Sequence, residues 1–308
     1  MNDISNMAKR DLEAVLHPMT QISALNKTGA MMIVRGEGIY VYDENGNQYI
    51  DGLSGLWCTS LGYANEEIAQ VAYEQIKVLS YGHLFLDKSH NIAMELAEKL
   101  KKMVPGNFSK VFFGLSGSDA NDTQIKLVRY FNNARKKPEK KKIISRNKAY
   151  HGITFAAAST TGLAPMHQGF DLPLEGFLHT DCPHYYRFAE QGETEEEFTT
   201  RLASNLEGLI LNEGPEQIAA FIAEPIMGAG GVIVPPDSYF PKIQKVLKKY
   251  DVLFIDDEVI CGFGRTGKPF GADTFELEPD TMSLAKALTS AYQPLSAVMI
   301  PETMYETI

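Results

Sequence analysis

Residues 252–258, Val-Leu-Phe-Ile-Asp-Asp-Glu, run four apolar side chains directly into three carboxylates. The apolar part is continuous instead of alternating, the pattern of a parallel strand covered on both faces. Such a strand belongs to an α/β sheet, and in open α/β sheets ligands lie beyond the carboxyl ends of the strands. Asp256, Asp257 and Glu258 therefore close a strand at the edge where a ligand would sit. Lys286, in Ser-Leu-Ala-Lys-Ala-Leu-Thr-Ser, is far enough along to close another strand after one crossover. Taken alone, Lys286 reads equally well as a surface lysine and the carboxylates as a solvated turn.

The remainder of the chain decides between these readings. Apolar runs near 110–113, 142–145, 176–179, 219–223, 252–256, 281–284 and 296–300 alternate with helical patterns, which predicts a mainly parallel seven-stranded α/β sheet with helices on both faces. Upstream, residues 11–25 read as a short amphipathic stretch broken at Pro18. Three β-rich runs follow, with Asn45-Gly46 as a hairpin turn, so the chain opens with a small antiparallel sheet. Residues 65–79 and 89–103 read as helices. The predicted division is an N-terminal segment, 1–64, contributing to a small domain, and a large domain over 65–308. The acidic run from Glu193 to Glu197 opens a surface helix.

Charge and cysteine usage narrow the partners. The 29 basic and 39 acidic residues give a net charge of −10, which argues against nucleic acid or an anionic membrane as the main partner. No apolar run approaches the roughly 18 residues of a membrane-spanning helix. The N-terminus lacks a signal-peptide core, and Cys58, Cys182 and Cys261 are scattered singly, which predicts a cytoplasmic protein with reduced thiols.

The candidate chemistry gathers at strand ends. In Val111-Phe-Phe-Gly-Leu-Ser-Gly-Ser-Asp-Ala-Asn121 a strand turns into a helix start. Ser116 or Ser118 would cap that helix, and Gly117 lets the backbone approach a phosphate at its positive end. Asp119 would repel a phosphate, so its side chain must point away. Tyr150, in Ala-Tyr-His-Gly, can stack on a flat heteroaromatic ring, with His151 beside it. Glu224 closes a further strand in Ala-Glu-Pro and adds a carboxylate to the same edge. His179, Cys182 and His184 do not have zinc spacing, so no metal site is expected. Gly262 to Lys268 imitates a phosphate loop, but Pro269 stands where a hydroxyl residue would be needed. A carboxylate and an amine closing two strands of one sheet are the pair that a pyridoxal phosphate (PLP) enzyme needs.

Together Ser116-Gly-Ser-Asp-Ala-Asn-Asp, Ala149-Tyr-His-Gly, Ala223-Glu-Pro, Gly228-Ala-Gly-Gly, Asp257-Glu-Val-Ile-Cys-Gly-Phe-Gly-Arg-Thr-Gly and Ala285-Lys-Ala-Leu-Thr-Ser resemble the class III PLP-dependent aminotransferases, nearest to the ω-amino acid:pyruvate and amine transaminases. The resemblance implies the fold type I of PLP-dependent transferases, a homodimer, and amino transfer from an amine or ω-amino acid to a keto acid such as pyruvate. It implies Lys286 as the Schiff-base lysine and Asp257 as partner of the pyridine nitrogen. Ser116, Gly117 and Ser118 would hold the phosphate, Tyr150 and Val259 would pack on the two ring faces, and Glu224 would sit on the ring-hydroxyl side. Trp57, Phe85 and Tyr150 would wall the substrate pocket. Relatives of this family extend beyond the position of Ile308, through a C-terminal small domain. The chain accordingly reads as part of a transaminase, with a non-catalytic PLP-binding, dimerising homologue as the alternative.

Overall fold

The computed structural model describes residues 4–308. They form two compact units, one ending at Ser80 and one running from Tyr81 to Ile308.

In the first unit, helices Asn6–Ala14 and Ile22–Thr28 lie on either side of Pro18, where the stretch over 11–25 is expected to break. Pro18 lacks an N–H and disfavours the helical region for His17, so residues 15–21 stay non-helical. Strands β1 (Ile33–Glu37), β2 (Tyr40–Asp43) and β3 (Gln48–Ile50) form the expected antiparallel sheet in that order. Asp43 organises the β2–β3 turn: its Oδ1 accepts the N–H groups of Asn45 and Asn47, both at 2.9 Å. Gly46 there takes φ +80°, which favours a residue without Cβ. The helix Glu66–Val78 also belongs to this unit, started by Asn65, whose side chain accepts the Ile68 N–H at 3.1 Å.

The second unit holds β4 (Phe108–Gly114), β5 (Lys142–Arg146), β6 (Phe177–Thr180), β7 (Ile218–Ala223), β8 (Leu253–Asp257), β9 (Thr281–Leu284) and β10 (Ser296–Pro301). They lie in the order β4-β10-β9-β8-β7-β5-β6. The five strands β5 to β9 pair in parallel. β10 is antiparallel to both neighbours, so β4 runs with the parallel set. The link from β9 to β10 holds only a short turn over Lys286–Leu288 and no crossover helix, and without a crossover the chain returns antiparallel.

Both faces of the sheet are covered, which explains the unbroken apolar run in β8. Phe221, Ala223, Phe254 and Met282 pack on one side with Phe198 and Leu206 of helix Glu195–Glu213 and with Phe240 and Leu247 of helix Tyr239–Lys249. Ala220, Ile222, Leu253 and Ile255 pack on the other with Ala120, Ile125 and Val128 of helix Gly117–Ala134. Each large side chain fully buried this way contributes about 1.5–3 kcal/mol. The acidic run does open a helix: the Thr194 hydroxyl accepts the Glu197 N–H and the Glu197 carboxylate accepts the Thr194 N–H. That helix also buries Phe198, Leu202, Leu206 and Ile210, so it builds core as well as surface.

Candidate active site

The carboxyl ends of β4, β5, β7, β8 and β9 all lie at one edge of the sheet, because these strands run the same way. β4 leads into helix Gly117–Ala134. The Ser116 hydroxyl accepts the Asp119 N–H at 3.2 Å, and Asp119 Oδ1 accepts the Ser116 N–H at 3.0 Å. Asp119 also accepts the Leu115 N–H at 2.8 Å and the Ser296 hydroxyl at 2.9 Å. Its charge is folded back under the turn, as the sequence required. The N–H groups of Gly117 and Ser118 open the helix and have no acceptor within it. The Ser118 hydroxyl accepts the Ile153 N–H at 3.1 Å. Gly152, at φ +137°, leaves room for that contact, since a Cβ there would lie 2.5 Å from Ser118 Oγ.

β5 delivers Tyr150 and His151. The Tyr150 N–H donates to Glu224 Oε1 at 3.0 Å, and the Gly228 N–H donates to Glu224 Oε2 at 3.0 Å. Arg146, fully buried, donates to the Glu224 carbonyl at 2.6 Å and so ties the end of β7 to β5. Burial pushes the Glu224 carboxyl above its usual range, and the Asp257 charge adds to this. Burial likewise raises the Tyr150 hydroxyl, followed by the Asp257 and Glu224 charges.

Asp257 closes β8 and gathers several partners. Its Oδ2 accepts from Asn121 Nδ2 at 2.8 Å and pairs with His151 Nδ1 at 2.8 Å. Its Oδ1 accepts the Val259 N–H at 3.1 Å and a longer Ser283 hydroxyl contact at 3.4 Å. Lys286 stands just past β9, half-buried, at φ +46°. That left-handed backbone is uncommon for a residue with a side chain and recurs at functional sites.

Alternation along β8 sends Asp256 and Asp257 to opposite faces. Asp256 is buried in the same cross-strand row as Ala223 and Met282, away from the cavity. Burial, and then the neighbouring Glu258 charge, lift Asp256 well above the carboxylate range, and burial lifts Glu258 to about 7.

One cavity of about 380 Å³ receives these strand ends. Ser116, Gly117, Ser118, Tyr150, His151, Glu224, Asp257, Val259 and Lys286 all line it. Phe85 does not line it and is 76% exposed. Trp57 lies in the first unit, at φ +63°. Sequence reasoning missed Leu115, Thr289 and Gln293, which also line the cavity, and Asn121 and Ser283, which hold Asp257. Asn121 was within reach of it: four residues after Gly117, it lies on the same helix face. Chemically, the cavity is polarised. Open N–H groups favour an anion at one part of its wall, and an aimed carboxylate favours a cation at another.

The chain matches the family described as aminotransferase class-III over residues 22–308. It is 54% identical to a vanillin aminotransferase of Capsicum annuum over 279 residues, 90% of this chain and 61% of that protein. It is 52% identical to the chloroplastic gamma aminobutyrate transaminase 3 of Solanum lycopersicum, over 100% of this chain and 60% of that protein. The chain thus spans about three-fifths of the length of the curated relatives it matches. Among solved structures, the omega transaminase of Pseudomonas jessenii in complex with PMP superposes with a TM-score of 0.97 at 56% identity, covering 98% of this chain and 67% of that one. A family match over nearly the whole chain, on a fold and a set of strand ends that agree with it, means that the chain belongs to the class III aminotransferases.

Proposed function

We propose that this chain supplies the cofactor-holding part of a PLP-dependent transaminase, one that moves an amino group from an amine or ω-amino acid to a keto acid such as pyruvate. The observation that carries the reading is a single cavity lined by Lys286, Asp257 and the open N–H groups of Gly117 and Ser118. These residues fit the cofactor. The helix start binds its phosphate, with Ser116 fixing the turn. Tyr150 and Val259 hold the two faces of its ring. Asp257, oriented by His151, keeps a proton on the ring nitrogen. Glu224, held by two backbone N–H groups, faces the ring-hydroxyl side. Bound there, PLP supplies an electron sink for the pair left when a proton departs from a substrate carbon. The Lys286 amine would hold the cofactor between turnovers and would take that proton and return it. Tyr150, which lines the cavity, walls the substrate in this reading.

The same reading gives a large cofactor domain over 65–308, to which segment 1–64 adds part of a small domain. It also gives a homodimer: Leu115, Ile153 and Phe155 expose large apolar surface next to cavity residues, which a second copy would cover. The free cysteines Cys58, Cys182 and Cys261 agree with a cytoplasmic setting.

Visible absorbance tests the proposal. The purified chain is mixed with PLP, and the spectrum is recorded before and after adding L-alanine or an aromatic amine, with Lys286→Ala alongside. A band that requires Lys286 and bleaches on adding amine is expected. No band, or an equal band in the variant, overturns the assignment.

A further inference from the structure

We propose that Asn121 is a positioning residue for Asp257, and that helix Gly117–Ala134 thereby sets the two polar ends of the cofactor site against each other. The inference rests on the function proposed above. Asn121 is 0% exposed. Its amide nitrogen has two hydrogens: one goes to Asp257 Oδ2 at 2.8 Å and the other to the His151 carbonyl at 2.7 Å. Its carbonyl accepts from Gln124 Nε2 at 3.0 Å, and Gln124 is itself 0% exposed. The amide cannot be flipped, because its oxygen would then meet a carboxylate and a carbonyl, which only accept. Three separate chain segments therefore converge on one side chain: the helix, the loop that carries His151 and the end of β8.

The placement on the helix matters. Gly117 and Ser118 offer their N–H groups at its start, and Asn121 follows one turn later. A helix rises about 1.5 Å per residue and is stiff over one turn. The spacing between an anion held at Gly117–Ser118 and a cation held at Asp257 is then fixed by one rigid element. This is what a flat ligand with a phosphate on one side and a protonated ring nitrogen on the other requires.

Chemistry separates this role from plain packing. Asn121→Asp keeps the shape but sets a second carboxyl 2.8 Å from Asp257 Oδ2. Two carboxyl groups that close share a proton, which spreads one negative charge over both and weakens the ionic partner of the ring nitrogen. Asn121→Ala leaves the carboxylate in place but loosens it.

The test uses the chain loaded with PLP labelled with nitrogen-15 in the ring, as wild type, Asn121→Asp and Asn121→Ala. In Asn121→Asp the ring-nitrogen resonance should move toward the unprotonated position. The half-reaction with amine should slow about 100-fold, as when one preorganised electrostatic contact is lost, with the amine concentration dependence changed by less than about threefold. The Lys286-dependent visible band should persist. Asn121→Ala should shift both readouts in the same direction by less, and it carries the test if Asn121→Asp does not fold. A ring nitrogen that stays protonated, with rates within about threefold of wild type, overturns the inference while leaving the proposed function intact. A wild-type chain with no Lys286-dependent band overturns both.

Discussion

His151 Nδ1 stands 2.8 Å from Asp257 Oδ2, and both side chains are shut off from solvent. A carboxylate only accepts, so the hydrogen in this contact belongs to Nδ1. The imidazole therefore orients a carboxylate that lines the cavity. Replacing His151 with Leu leaves a buried charge with one donor fewer, at a cost of about 1.5–3 kcal/mol. His151→Asn should recover part of that loss, because an amide can donate to the same oxygen. Urea unfolding of the two variants and the wild type checks this ordering.

The loop at Gly152 makes a steric prediction. Any Cβ there lies 2.5 Å from Ser118 Oγ and 2.8 Å from Ser118 Cα, and φ is +137°. Gly152→Ala must push Ser118 away from its place at the helix start. We expect destabilisation by more than about 1 kcal/mol and, because phosphate contacts are displaced, PLP affinity at least about tenfold weaker. Titration of the chain with PLP, followed by absorbance, measures it.

Stability should depend on pH through Glu258. Its carboxyl is ordinarily near 4.5, and burial in the fold brings it to about 7. Between those values the folded state holds the proton more tightly than the unfolded chain does. Stability contributed here is therefore present at low pH, falls as pH rises from about 4.5 to about 7, and stays lost above. The difference is on the order of 3 kcal/mol. Glu258→Gln keeps the acceptor for the Ala272 N–H, which Glu258 Oε1 receives at 2.6 Å, and removes the titration. Denaturant midpoints at pH 5, 6, 7 and 8 should show a flatter profile for the variant, with a gain at pH 8.

At the opposite edge of the sheet, Lys140 makes a purely structural prediction. Its buried ammonium, with three hydrogens, lies within hydrogen-bond distance of the carbonyls of Pro215, Ile218, Tyr250 and Asp251, at 2.8–3.1 Å. It joins the connections that enter β5, β7 and β8. Lys140→Met leaves those carbonyls without their donor and should cost at least about 1–3 kcal/mol. The Lys286-dependent absorbance band should be unchanged in whatever fraction remains folded.

The sequence by itself determined the strands, their order along the chain and the residues that close them. Those features are local: apolar run length, Gly-containing turns and caps depend on neighbours a few residues away, and Asp43, Ser116 and Thr194 act within four residues of themselves. Alternation also separated Asp257 from Asp256 in principle, since successive side chains leave a strand on opposite faces. Only the tertiary structure decided which partners those residues would have. Asn121 reaches Asp257 across 136 positions, and Arg146 reaches the Glu224 carbonyl across 78. It also decided that β10 inserts antiparallel between β4 and β9. Contacts of that kind depend on how the crossovers pack against a shared sheet, and no local pattern of hydrophobicity or turn residues encodes them.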